Sequence, residues 1–191
     1  MPDTPSAWTA MVERNAIVRF VDINLRGAGQ VIFQNNPLTG FLFLAAIAWG
    51  AISADQIAIA LGACIALVIA TITAMLLDVD DTSLRQGLFG FNGVLVGAAV
   101  PTFLSVDPAM WLILVIGAAV STIVMLAVAN VMKTWGVPAL TFPFVLTTWF
   151  LVLGAAGIAA CDRRTRGRSA ACAPAVAGSL AEGTGAGVPH Q

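Results

Sequence analysis

The side chains that usually carry catalytic chemistry are scarce and badly spaced for it. There is one histidine, His190, and three cysteines, Cys64, Cys161 and Cys172, without metal-ligand or redox spacing. Cys64 lies inside an apolar run and reads as a small core residue. Ser53, Ser83, Ser105 and Ser121 have no neighbouring histidine to activate them. The carboxylates gather at Asp55, at Asp78, Asp80 and Asp81, and at Asp107, which read as turns rather than as pairs facing across a pocket. The expectation is a protein that is not an enzyme and that uses no metal or other cofactor. The net charge of −1 offers no basic field for nucleic acid.

Where charges are missing is more informative. No Asp, Glu, Lys or Arg occurs in residues 27–54, 56–77, 86–106, 108–132 or 134–161. A membrane-spanning helix needs about 20 mainly apolar residues, and each window is long enough. Of 191 residues, 59% are hydrophobic and only 10% charged, with a mean hydropathy of +0.91. A soluble domain of this size cannot hide that much apolar surface. The fold class expected is therefore an all-α integral membrane protein with about five transmembrane helices. Symporters and pumps usually carry ionisable groups within their spans. None lies in these windows, which favours passive passage of a neutral solute.

Glycine and proline subdivide the windows. Pro37 lacks an amide hydrogen and disfavours helix at Asn36, so a helix should break there and restart at Pro37, running to about Ile52. The glycines of residues 87–93 suit close helix packing or a re-entrant start. Pro138 and Pro143 predict a short broken piece, then a helix through Trp149 to about Ala160. Non-helical backbone at membrane depth survives only when buried in protein or lining a cavity, so these breaks point to a polar pathway. Residues 1–26 form a separate segment. In it Ile17, Val18, Val21 and Leu25 recur at helical spacing among Arg14, Arg19, Asp22 and Arg26, the pattern of an amphipathic helix on a membrane surface. It has neither the continuous apolar core nor the cleavage site of a signal peptide. Residues 27–160 are the transmembrane part. Residues 161–191 begin with an Arg cluster and continue mostly in Ala, Gly, Ser, Pro and Thr, and read as a disordered tail or as an out-of-frame end. Arg14, Arg19 and Arg26 favour a cytoplasmic N-terminus; five crossings would then put the tail arginines outside, against the positive-inside rule.

One string is distinctive: Gly29-Gln30-Val31-Ile32-Phe33-Gln34-Asn35-Asn36-Pro37-Leu38-Thr39-Gly40. It resembles the urea transporter signature G-Q-V-x-F-x-N-N-P-x-[ST]-G. Two later segments agree in order, residues 87–97 (GLFGFNGVLVG) and 138–144 (PALTFPF). The resemblance covers about residues 15–154. It implies one half of an inverted-repeat channel fold, here the first half, whose pore runs between two homologous halves. No second Asn-Pro-x-[Ser/Thr]-Gly follows. The expected partners are therefore a second half or a paired chain, in a multi-pass protein of the plasma or inner membrane.

The resemblance also implies roles. Urea is planar and strongly hydrated, and an apolar layer strips its hydrogen bonds at a cost of several kcal/mol. A flat aromatic slot with amide and hydroxyl groups can replace them, provided each site binds weakly enough to release. By the motif match Gln30 and Phe33 stand near one mouth, on one helix face. Gln30 would accept from urea N–H groups while Phe33 walls the slot. Phe91 corresponds to another slot aromatic, Leu95 extends its wall one helical turn on, and Thr141 matches a mid-pore threonine. Asn36, Pro37, Thr39, Gly40, Asn92 and Pro143 are read as the architecture of the breaks. The function implied is passive, selective urea transport. Two other readings stand beside it: a non-conducting truncated remnant, and a channel for another small neutral solute such as ammonia or a short amide.

Overall fold

The computed structural model describes the backbone of residues 7–171 and the side chains of residues 8–157. Every regular element among them is helical. In chain order these are α1 (Ala7–Arg14), α2 (Ala16–Gly29), α3 (Pro37–Ser53), α4 (Ile57–Leu76), α5 (Asp81–Arg85), α6 (Gly90–Phe103), α7 (Pro108–Met132) and α8 (Phe142–Ala171). Helices α3, α4, α6 and α7 each lie within one charge-free window, and α8 begins in the fifth and runs beyond it to Ala171. This is an all-α membrane protein. By length and apolarity α4 and α7 can each cross a bilayer alone, and α2 with α3 forms a third candidate bent by 72°.

The first compact unit is residues 1–153. Its centre is α4 packed against α6, and their contact is built from small residues. A Cβ on Gly97 would run into the carbonyl oxygen of Gly62, and one on Gly93 would lie 2.6 Å from the Ala70 Cβ. Without an apolar driving force between helices in lipid, such close backbone approach supplies the dispersion contacts that hold them. Val96, Val100, Met110, Leu114 and Ala118 form the core between α6 and α7, with Phe144 and Leu151 of α8 against it. The outward faces are apolar: Trp49, Ile52, Leu76, Leu112, Ile123, Trp149 and Phe150 are all exposed. Such a surface is suited to hydrocarbon rather than water.

The helix ends follow local chemistry. Asn36 caps α3 by accepting from the Leu38 amide at 2.9 Å, with Pro37 in the first turn. Asp107 caps α7 by accepting from Met110 N at 2.7 Å. Asp80 caps α5 by accepting from Ser83 N at 2.9 Å.

Several expectations need correction. The N-terminal amphipathic stretch is two helices, because Asn15 leaves the helical region and caps α2 through the Ile17 amide. Its apolar Ile17 and Val21 face outward, whereas Asp22, Ile23 and Asn24 are buried against the other helices. The broken piece expected around the two late prolines is present, and it is irregular rather than helical. Residues 136–141 form an irregular link, with Gly136 and Leu140 at positive φ, because Pro138 lacks a donor and restrains Val137. Cys64 is exposed rather than in the core, since the buried face of α4 is filled by Gly62, Ala63, Ala66 and Leu67. A second unit begins at Gly154 and is helical as far as Ala171, so the first residues of the expected tail continue α8. The remainder of the expected tail, residues 172–191 with Cys172 and His190, lies outside the described residues.

Candidate functional site

Three of the irregular segments that separate the helices carry the motifs singled out in the sequence, and two of them meet. Helix α2 gives way to a 3-10 turn over Gln30–Ile32, Phe33 takes a left-handed conformation at φ 59, and α3 starts at Pro37. The second break is the turn before α6, where Gly87 has φ 74. A Cβ on Gly87 would collide with the Gly27 backbone, so this position needs glycine for both its φ and its contact. The breaks are tied by the Gln30 side chain, whose Nε2 donates to the Gln86 carbonyl at 2.9 Å.

The depth of the first break follows from the packing of α2 on α4. Thr71 Oγ1 lies 3.0 Å from Asn24 Oδ1, near the α4 C-terminus. One turn later in α2, Ala28 packs with Ala63 and Leu67 at the middle of α4. The irregular backbone after Gly29 thus begins level with the centre of a membrane-length helix. Helix α6 is also short. Its 14 residues rise about 21 Å, less than the hydrocarbon core of about 30 Å.

The sequence-selected residues fall into different surroundings. Gln30 is half-buried, and with Nε2 committed to Gln86 its Oε1 accepts no hydrogen bond among the described residues. Phe33 is 62% exposed and does not share a helix face with Gln30, because the left-handed residue ends the turn between them. Phe91 is buried at 4% exposure, and Leu95, one turn on in α6, is half-buried. Thr141 is half-buried in the third irregular segment, and its carbonyl accepts from Val145 N at 3.2 Å as α8 begins. Among the described residues no hydrogen bond joins Thr141 to the Gln30 turn.

The architectural residues are clearer. Gly40 is buried against the Leu25 carbonyl, which lets α3 fold back closely on α2, and Thr39 is half-buried beside it. Pro143 is buried in the first turn of α8. Asn92 is fully buried, yet neither its Oδ1 nor its Nδ2 has a partner among the described residues, and the Thr148 hydroxyl is likewise unpaired there.

Sequence reasoning missed a polar chain behind the first break. Trp8 Nε1 donates to Asp22 Oδ1 at 2.7 Å, and Arg26 Nε donates to Asp22 Oδ2 at 2.7 Å. Arg26 Nη1 donates to Asn35 Oδ1 at 2.8 Å and to Asn35 O at 3.2 Å. Beside it opens a groove of about 310 Å³, lined among others by Arg19, Arg26, Asn35, Arg85 and Gln86. The four-residue spacing of Asp22 and Arg26 was the available signal.

These features define a class: a helical membrane protein whose helices are broken level with the middle of a membrane-length helix. Comparison with known proteins gives the family. The urea transporter family profile matches residues 21–188, and the chain belongs to that family. It is 33% identical over 139 residues to urea transporter 1 of Mus musculus, covering 69% of this chain and 34% of the mouse protein. It is 32% identical over 139 residues to the Rattus norvegicus protein of that name, covering 69% of this chain and 34% of the relative. To the Ovis aries protein it is 33% identical over 130 residues, covering 66% and 33%. The chain spans about a third of the length of the curated relatives it matches.

Proposed function

We propose that this chain forms one wall of a passive path for urea across the cell membrane, completed by a second homologous half or a paired chain. The observation that carries the reading is the α2–α3 break. It begins level with the middle of α4, leaves the Gln30 Oε1 open as an acceptor, and presents the Phe33 ring outward. Irregular backbone at that depth needs burial or a polar cavity beside it. An aromatic face and a single amide acceptor suit a planar amide that must bind briefly and leave. Phe91 and Leu95 extend the apolar wall, and Thr141 offers a further hydroxyl. The names of the relatives support urea as the solute. In this reading residues 1–26 are the interfacial segment, residues 27–160 carry the path and residues 161–191 take no part in it.

Stopped-flow urea flux into proteoliposomes is the test, with the chain reconstituted alone and with a second half supplied. Flux above empty liposomes, reduced by Phe33→Ala, supports the reading. Flux indistinguishable from empty liposomes in both arms refutes it and leaves the non-conducting remnant. Ammonia or acetamide flux without urea flux refutes urea as the solute.

A further inference from the structure

Among the described residues, Asp22 is the one ionisable side chain that is buried. Burying a carboxylate is costly, and its pairing with Arg26 is weak evidence of net stabilisation. What the pair touches is more telling. Arg26 uses Nε for Asp22 and Nη1 for both oxygens of Asn35, which stands two residues after Phe33. Trp8 of α1 occupies the other carboxylate oxygen and so fixes the orientation of Asp22.

Phe33 needs such support. A non-glycine residue at φ 59 is strained, and its exposed ring has too few contacts to hold it there. Within the turn two backbone bonds oppose relaxation, Phe33 N to Gln30 O at 2.9 Å and Gln34 N to Gly29 O at 3.0 Å. The Arg26–Asn35 contacts close the same turn from outside.

We infer that Asp22 and Arg26 are positioning residues: the buried carboxylate aims the guanidinium, and the guanidinium holds Asn35 so that Gln30 and Phe33 keep their geometry at the α2–α3 break. The inference rests on the proposed urea reading for its purpose, though not for its measurement. Lysine cannot replace the arginine, because one ammonium lacks the rigid fork that reaches carboxylate and Asn35 together.

The experiment uses the full chain in lipid nanodiscs, with amide hydrogen exchange read at Phe33 and Gln34 and, as reference, at Ala66 and Ala70 in α4. Arg26→Lys and Asp22→Asn are expected to speed exchange at Phe33 and Gln34 by about tenfold or more, leaving α4 unchanged. Asn35→Ala keeps the ion pair and the backbone carbonyl contact and removes only the Oδ1 contact, and it should give a smaller acceleration at the same two amides. Unchanged exchange at Phe33 and Gln34 in all three variants overturns the positioning role, as does acceleration spread equally into α4. Urea flux is measured in parallel. Locally faster exchange with no wild-type flux overturns the urea reading and leaves the clamp standing. Locally faster exchange with reduced flux in Arg26→Lys supports both.

Discussion

Gln30 divides its amide between two tasks. Its Nε2 anchors the turn before α6, and its Oε1 is left to accept. Gln30→Ala therefore removes a tether as well as a candidate ligand, whereas Phe33→Ala removes only an exposed ring. If the pair lines the urea path, Phe33→Ala should lower flux without lowering thermal stability in detergent. Gln30→Ala should lower both, with loss of the tether costing about 0.5–1.5 kcal/mol of stability. Equal flux in wild type and both variants would remove these residues from the path. Asp80 gives a pH-dependent prediction. The Ser83 amide hydrogen bond holds its carboxyl below the ordinary aspartate value. A lowered native pKa means that the cap stabilises α5 above the unfolded-state value and is lost as pH falls through the native one. The Ser83 amide resonance should titrate with a midpoint below that of a free aspartate, and Asp80→Asn should abolish the titration. A midpoint at or above the ordinary value would show that the cap is not made.

At the scale of elements, the contact of α4 with α6 is the most demanding joint, because a side chain at Gly97 has the Gly62 carbonyl directly in front of it. Gly97→Leu should force the helices apart and destabilise the protein by about 1–3 kcal/mol or more. Gly154→Leu serves as the control, since a Cβ there would meet nothing within 4 Å. Differential scanning fluorimetry in detergent reads the difference, and equal melting temperatures would contradict the close approach. The restart at Pro37 was legible in the sequence because proline fixes φ and lacks a donor, and both constraints are local. The glycines before α6 announced close packing for a similarly local reason. The left-handed Phe33 was not legible, because no residue-type rule favours φ 59 at a phenylalanine; the contacts of Gly29, Arg26 and Gly40 impose it. The buried face of α2 departs from its amphipathic pattern, since Asp22 and Asn24 go inward only because Trp8, Arg26 and Thr71 receive them. The unpartnered Asn92 amide belongs to the same kind: its isolation depends on tertiary neighbours that no local pattern names.

At the scale of the molecule, the packing register fixes which loops share an end of the helix bundle. Gly62 meets Gly97 and Pro101, while Thr71 lies by Gly90, so α4 and α6 run antiparallel. Leu114 of α7 lies by Gly62, and Thr122 Oγ1 donates to the Ala70 carbonyl at 3.3 Å, so α7 runs parallel to α4 and antiparallel to α6. Asp55, before α4, and Asp107, before α7, therefore stand at one end of the bundle, and Asp80 and Lys133 at the other. The 25 residues of α7 rise about 37 Å, enough to separate the two ends by the hydrocarbon core of about 30 Å. With Cys64, Cys161 and Cys172 replaced by serine, single cysteines at Asp55, Asp80, Asp107 and Lys133 can be labelled by a membrane-impermeant maleimide in sealed vesicles. Asp55→Cys and Asp107→Cys should label together, and Asp80→Cys and Lys133→Cys only after the vesicles are opened, or the reverse pairing in inverted vesicles. Labelling of Asp55→Cys and Asp80→Cys from the same side would mean that α4 does not cross. Partial labelling of all four would mean that copies insert in both orientations, which is what two copies of one half need to form an inverted pair. In the proposed urea reading, orientation therefore separates the two routes to a complete path: a fixed orientation would call for a distinct second half, and a mixed one would let the chain pair with itself.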